Sequence, residues 1–263
     1  KGIDDKHSSL LKEAYKQFED STKNRGFDFR SWKGQTDLGV PAQLSLNFFR
    51  SQGYMRGMLK YGYKKILRRK EEEFLRNAIL DDIDIIKGLG GSDLLMENPV
   101  HLTPGAKDCY FVSETSVSLR WLRYIYILKR ILDKKLLSDG EIWVDVGSFY
   151  GGLQGLVRKY RPKSRIVLVD FHHQLCRSYI YLSKQFPDAK HILPDQIKEY
   201  TDLNELPEGS IMYVPVSEYE HIAGQSADLV TNFFSLGEMR REFFDIYMKS
   251  DLFNVSKKAY LVN

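Results

Sequence analysis

Residues 141–160 read EIWVDVGSFYGGLQGLVRKY, an apolar run broken only by Asp145 that ends on glycine and resumes as an amphipathic segment. Ile142–Val146 fits a strand buried on both faces, and 151–160 fits a helix. Gly147 permits the tight turn after the strand. Gly151 and Gly152 let the helix start close to a ligand and to the sheet, because neither carries a Cβ. The same alternation continues beyond this stretch. Strands are predicted over 165–170, 211–216, 228–233 and 259–262, with helices over 174–186 and 238–253. Apolar strands alternating with helices imply an α/β fold, a doubly wound parallel sheet covered on both faces. Residues 191–209 break the alternation and read as an insertion.

The totals are those of an ordinary globular chain. The 263 residues carry 39 basic and 35 acidic side chains, a formal net charge of +4, with 43% hydrophobic and 28% charged residues. So small an excess, spread along the chain, argues against nucleic acid, which leaves a concentrated basic patch. No apolar run approaches the roughly twenty residues of a membrane span. With no signal peptide visible, the expectation is a cytoplasmic protein. Cys109 and Cys176 stand alone, without a CxxC or a histidine cluster, and read as reduced, buried thiols. No Asp-rich cluster suggests a divalent metal, so none is expected. The chain starts at Lys1 without a methionine and stops inside the apolar run AYLVN, the pattern of a fragment.

Residues 1–110 form a mostly helical N-terminal region ahead of a ligand-binding domain at 111–263. Within it, 59–86 carries isoleucine, leucine and phenylalanine at helical spacing. Its charge run KKILRRKEEEFLR reads as a solvated face laced with local ion pairs. Residues 88–107, dense in Gly and Pro, read as a linker. A helix is predicted over 117–136, with Leu122, Ile125, Leu128, Ile131 and Leu132 on one stripe.

Two ligand classes use a strand–glycine–helix turn followed by an acidic residue at the next strand end: dinucleotides and S-adenosylmethionine. Asp170 is that acidic residue, placed to accept from a ribose diol. Asp145 separates the classes. A pyrophosphate wants helix N–H groups and no carboxylate nearby, whereas S-adenosylmethionine carries an ammonium and a sulfonium. A nicotinamide-dependent reductase is therefore the weaker alternative.

Asp145-x-Gly147-x-x-x-Gly151 resembles motif I of the class I methyltransferases, with Phe149 where the middle glycine usually stands. That departure keeps open a non-catalytic module of the same fold. The ordered segments WVDVGSFYGGLQGLV, VLVDFHHQLCRSYIYLSKQFPDAK and ADLVTNFFSLGEM resemble the sugar O-methyltransferases of bacteria. SVSLRWLRYIYIL resembles the Ser-x-x-Arg helix that precedes the sheet in that family. The resemblance covers residues 110–263. It implies a Rossmann-like methyltransferase sheet, with AYLVN as fifth strand and closing strands beyond Asn263. It further implies S-adenosyl-L-methionine as cofactor and a sugar or glycan hydroxyl as acceptor.

On this reading the cofactor residues are Asp145, Gly147, Ser148, Gly151, Gly152, Asp170, Phe171, Val216, Ser217 and Asn232. Asp170 alternatively caps the following helix. Phe171 flanks the adenine or joins the core. Val216 and Ser217 end the third strand of the core order, and Asp195 and Gln196 compete for the same contact. Asn232-Phe-Phe-Ser235 faces the reactive methyl and lacks both prolines of the Asn/Asp-Pro-Pro-aromatic motif, so base methylation is not supported. Candidate bases are His172, His173 and Glu238, with His221 behind them. Ser235 and Glu238 also fit a capping box, so a small effect is expected at Glu238 and a large one at His172 or His173.

Overall fold

The computed structural model describes residues 73–103, 109–112, 115–239 and 241–262. They fall into two compact units, one ending at Arg123 and the other running on from Tyr124.

In the first unit, residues 73–88 form helix α1, which buries Ile79, Ile83 and Ile86. The rest of the predicted helix at 59–86 lies outside the described residues. The predicted linker holds structure of its own: helix α2 (Ser92–Glu97) and a 3-10 turn, Val100–Leu102. Leu94 and Leu95, one pair in a Gly-rich context, are buried there and supply the apolar anchor that composition alone hides. A short antiparallel hairpin follows, β1 (Tyr110–Val112) with β2 (Thr115–Val117). Thr115 Oγ1 donates to Leu95 O at 3.0 Å, and Trp121 Nε1 donates to Asn98 O at 2.7 Å. Helix α3 (Leu119–Asp133) begins in this unit and forms as the stripe predicts.

The second unit is the α/β sheet. Its strands are β3 (Ile142–Val146), β4 (Arg165–Asp170), β5 (His191–Ile192), β6 (Ile211–Pro215), β7 (Leu229–Phe233) and β8 (Ala259–Val262). Their order is β5-β6-β4-β3-β7-β8 and every pairing is parallel. From β3 the chain moves outward to β4 and β6, then returns to β7 on the other side of β3. Right-handed crossovers in opposite directions place helices on opposite faces. Helices α4 (Gly152–Tyr160) and α5 (His172–Gln185) touch each other, with α5 against β4 and β6. On the return path α6 (Glu220–Ala223), α7 (Arg241–Met248) and α8 (Asp251–Val255) form a second contact group. The Rossmann-like, doubly wound architecture is thus present, and its switch point lies between β3 and β7.

Alternation within the strands divides the core. Val144, Val146, Val167, Val169, Met212, Val214 and Val230 join one cluster with Leu236, Tyr247 and Leu252. Trp143, Ile166 and Leu168 are equally buried and point to the other face by the two-residue period. The expected single helix at 238–253 is instead a 3-10 turn followed by α7 and α8, interrupted at Lys249 and Ser250. Ser250 serves as N-cap residue of α8 and donates its hydroxyl to Tyr247 O at 2.6 Å, a local bond that competes with helix continuation. The inserted segment 191–209 contributes edge strand β5 and two 3-10 turns. Cys109 and Cys176 are free thiols, half-buried rather than buried. No described helix is long and apolar enough to cross a membrane.

Candidate functional site

The carboxyl ends of β3, β4, β6 and β7 bring most of the sequence candidates to one end of the sheet. Gly147 follows β3 with φ +82° and donates its N–H to Val169 O at 2.7 Å. Ser148 and Phe149 come next, and Phe149 occupies the left-handed region with φ +55°. This is the geometric reason for the glycine usual at the middle position, since a bulky side chain there costs about 1–2 kcal/mol. The loop holds Phe149 by both backbone groups. Its N–H donates to Asp170 Oδ2 at 2.8 Å, and its carbonyl accepts from Ser178 Oγ on α5 at 2.6 Å.

Asp170 ends β4 and also accepts from Phe171 N at 2.7 Å through Oδ1. Each carboxylate oxygen therefore carries one backbone N–H and keeps a second acceptor site. Burial pushes its pKa up, against the two N–H bonds and the nearby His173. Phe171 is 58% exposed and stacks on His173, with ring centroids 5.9 Å apart. His172 turns away along α5, its Nδ1 lying 3.8 Å from Cys176 Sγ. Val216 and Ser217 form a 3-10 turn directly beyond β6, whose Pro215 is the register partner of Asp170. Asp195 and Gln196 lie beyond edge strand β5, with Gln196 Oε1 engaged by Leu193 N at 3.1 Å. His221 pairs with Glu218 at 3.0 Å.

Two of the candidate residues are turned inward. Asp145 is not exposed along the loop. It is 2% accessible inside the sheet, where Thr231 Oγ1 donates to one carboxylate oxygen and Gln154 Nε2 to the other. A residue inside a parallel strand faces a covering layer, here α4, and not the strand end. Asn232 is likewise turned into the protein. It is fully buried, and its Nδ2 donates to Val146 O and Ser235 Oγ while its Oδ1 accepts from Ser235 N and Leu236 N. All its hydrogen-bonding capacity is spent on joining the β7 loop to the end of β3.

The capping box at Ser235 does not form. Ser235 Oγ turns toward Val146 O at 3.4 Å, and no side-chain cap reaches the 3-10 turn Leu236–Glu238. Glu238 is exposed, and its side chain has no hydrogen-bond or ion-pair partner among the described residues. Gly151 and Gly152 leave room for neighbouring side chains. A Cβ on Gly151 would meet Leu182 Cδ1 at 3.0 Å, and one on Gly152 would meet Tyr150 Oη at 2.4 Å. Both glycines admit protein side chains at the start of α4.

Ser148 is 4% accessible, and its Oγ has no hydrogen-bond partner among the described residues. A buried hydroxyl left unpaired on a glycine loop, beside a carboxylate with spare acceptor sites, fits a polar ligand carrying both acceptors and hydroxyl donors. Thr231, Gln154 and Ser178 went unremarked in the sequence. Gln154 was findable, being a polar residue inside the apolar helix segment GLQGL.

Comparison with protein-family models finds no match, and comparison with curated proteins finds none either. Among solved structures the chain is similar to one from Plasmodium falciparum assigned as a protein-L-isoaspartate O-methyltransferase beta-aspartate methyltransferase, in complex with S-adenosyl-L-homocysteine. The identity is 14% over 64% of this chain and 78% of that one, with a TM-score of 0.35. It is also similar to coclaurine N-methyltransferase bound to N-methylheliamine and S-adenosylhomocysteine, at 16% identity over 65% of this chain and a TM-score of 0.31. The match spans 48% of that second chain. Likenesses this slight assign no activity, and the functional reading rests on the chain's own residues.

Proposed function

We propose that the chain is an S-adenosylmethionine-dependent methyltransferase that methylates a hydroxyl of a sugar or glycan. The observation that carries the cofactor assignment is the pair of carboxylates at the glycine loop. Asp145 lies beneath it and Asp170 at its rim, close enough that the Asp170 carboxylate raises the proton affinity of Asp145. Neither forms an ion pair with a Lys or Arg among the described residues. Such a site repels a pyrophosphate and suits a ligand bearing positive charge. Ser148 Oγ and the free acceptor sites of Asp170 would hold the ligand's polar groups, the latter its ribose hydroxyls. The bound cofactor supplies a methyl group already activated by its sulfonium, so the protein's task is alignment and removal of the acceptor proton.

The sugar acceptor and the O-methyl chemistry are supported by the ordered segments from Asp145 to Met239, together with the missing prolines after Asn232. For the base, the geometry shifts weight from the histidines to Glu238. His173 stands beside Asp170, on the ribose side, and His172 faces Cys176. Glu238 follows the loop that touches Gly147 and spends its carboxylate on no cap.

Calorimetry with S-adenosylhomocysteine tests the cofactor assignment. Binding is expected, and Asp170→Ala is expected to weaken it by about 1–3 kcal/mol, the loss of a charged hydrogen-bond partner. Stabilisation by NADH alone would replace the methyltransferase reading with the reductase. Binding of S-adenosylhomocysteine with no turnover on any acceptor tried would favour the non-catalytic module.

With a methylatable acceptor in hand, Glu238→Gln is expected to lower turnover roughly a hundredfold or more while leaving cofactor affinity and stability unchanged. His172→Asn and His173→Asn are expected to cost far less. A collapse at His173 with Glu238→Gln active would move the chemistry to the end of β4.

A further inference from the structure

Asp145 is the most unusual group in the sheet. It is buried in a strand between hydrophobic layers, and it has no cationic partner among the described residues. An ionised carboxylate in that position is costly unless a positive charge compensates it. The groups acting on it from each neighbouring element are Thr231 of β7, Gln154 of α4 and Asp170 of β4. Of the basic residues on α4, Arg158 is turned to Ser164 O at 3.1 Å and Lys159 is exposed. Thr231 is itself fixed, because its Oγ1 accepts from Trp143 Nε1 at 2.7 Å and so directs its own proton to Asp145.

Gln154 is the variable partner. Its Nε2 donates to Asp145, which leaves its Oε1 buried without a hydrogen-bond partner. Turning the amide over would bring Oε1 against the carboxyl, an arrangement that requires a proton on Asp145 to donate. Two states with the same number of hydrogen bonds to Asp145 follow. In one, Asp145 is ionised and accepts from Nε2; in the other it is protonated and donates to Oε1. The oxygen without a partner is what the second state uses.

We propose that Asp145 and Gln154 form a proton-exchanging charge sensor beneath the glycine loop, protonated in the free protein or with a neutral ligand, and ionised when a cationic ligand binds. The proton leaves to solvent, and the Gln154 amide reverses with it. The ligand half of this proposal rests on the methyltransferase reading. Its consequence there is discrimination between the sulfonium donor and its neutral thioether product. Burial, assisted by Asp170 and opposed by Thr231 and Gln154, pushes the Asp145 pKa up to about 7. Exchange therefore falls where small changes of pH alter it.

In the free protein, the Asp145 carboxyl carbon and the Gln154 side-chain amide are expected to titrate together in NMR spectra, with a midpoint near neutrality. An Asp145 signal flat from pH 5.5 to 8.5 overturns the sensor, whatever the ligand. Stability gives a second readout in the free protein. Because the folded-state pKa is raised, the stability held by protonated Asp145 is full below about pH 4, the ordinary aspartate range, and is lost as pH rises through about 7. Asp145→Asn, which mimics the protonated state, should therefore gain stability relative to the parent between about pH 4 and 7 and then level off. A constant difference would count against the sensor.

With ligand, S-adenosylmethionine should bind about tenfold tighter at pH 8 than at pH 6, releasing a proton measurable by calorimetry in phosphate and Tris. S-adenosylhomocysteine should show much less change, and Asp145→Asn should flatten the ratio of the two affinities. A pH-independent ratio in the parent overturns the charge-sensing role. If neither ligand binds, the methyltransferase reading fails, while the NMR and stability measurements still decide whether the sensor exists.

Discussion

Gly147→Ala is expected to destabilise the protein by about 3 kcal/mol or more and to abolish ligand binding at the loop. Two costs combine. The residue sits at φ +82°, where an L side chain costs about 1–2 kcal/mol. Its new Cβ would lie 2.1 Å from Ser235 Oγ and 2.8 Å from Ser235 Cβ, with Asn232 Nδ2 at 3.4 Å. Ser235 has little freedom to withdraw, since its hydroxyl sits between Asn232 Nδ2 and Val146 O. The two loops at the switch point must therefore separate, and strain spreads into the ends of β3 and β7. Urea denaturation measures the stability loss. Gly224→Ala is the control, because no heavy atom lies within 4 Å of that Cβ and no positive φ is required. Equal stabilities for Gly147→Ala and the parent would mean that the loops part without cost, and the close approach at Ser235 would lose its structural meaning.

The same pair of loops shows how far the sequence could be read. Ile142–Val146, Arg165–Asp170 and Ala259–Val262 were legible to the residue because each is built on a short, mostly apolar run rich in branched residues. That the candidate residues gather at the carboxyl end of the sheet followed from the alternation. What escaped is the facing of side chains inside that frame. Asp145 and Asn232 are both polar, both near strand ends and both adjacent to the loop, so a linear pattern assigns them to ligand. The pleat turns Asp145 into the α4 layer, while Asn232 is consumed by joining two loops that are 86 residues apart in the chain. Glu238 failed in the opposite direction. Ser-x-x-Glu matches a capping box, but Ser235 lies close enough to Val146 and Asn232 to be drawn away. Tertiary contacts overrode a local preference, and local spacing carries no trace of it. The Ser92–Glu97 helix was missed for a related reason: its two buried leucines lie in a stretch whose glycines and prolines dominate the composition.

Asn232→Leu is expected to cost about 3–5 kcal/mol, among the largest effects of a single side chain in the sheet. Leucine fills a similar volume and keeps the site apolar, so little of the loss is packing. What it removes is the amide that joins the β7 loop to β3, leaving only the 3.4 Å bond from Ser235 Oγ to Val146 O. Val146 O loses its 2.6 Å donor, and Leu236 N loses its 2.9 Å acceptor in a buried position. A buried backbone group left without a partner costs roughly 1–3 kcal/mol; Leu236 N meets that penalty in full, while Val146 O keeps only the long 3.4 Å bond from Ser235 Oγ. Asn232→Asp separates hydrogen bonding from shape. Its carboxylate can still accept from Leu236 N, but at neutral pH it sets an anion against Val146 O, where a donor is required. Protonation restores a donor. A buried carboxyl in this setting has a raised pKa in the folded state, so its stabilising form is complete at low pH and is lost as pH rises. Asn232→Asp should therefore resemble the leucine variant near pH 7 and recover part of the difference toward pH 4, when each is compared with the parent at the same pH. If Asn232→Leu unfolds within about 1 kcal/mol of the parent, the loop is held by packing around Leu236. If Asn232→Asp shows no recovery in acid, Val146 O does not need the donor that Asn232 supplies.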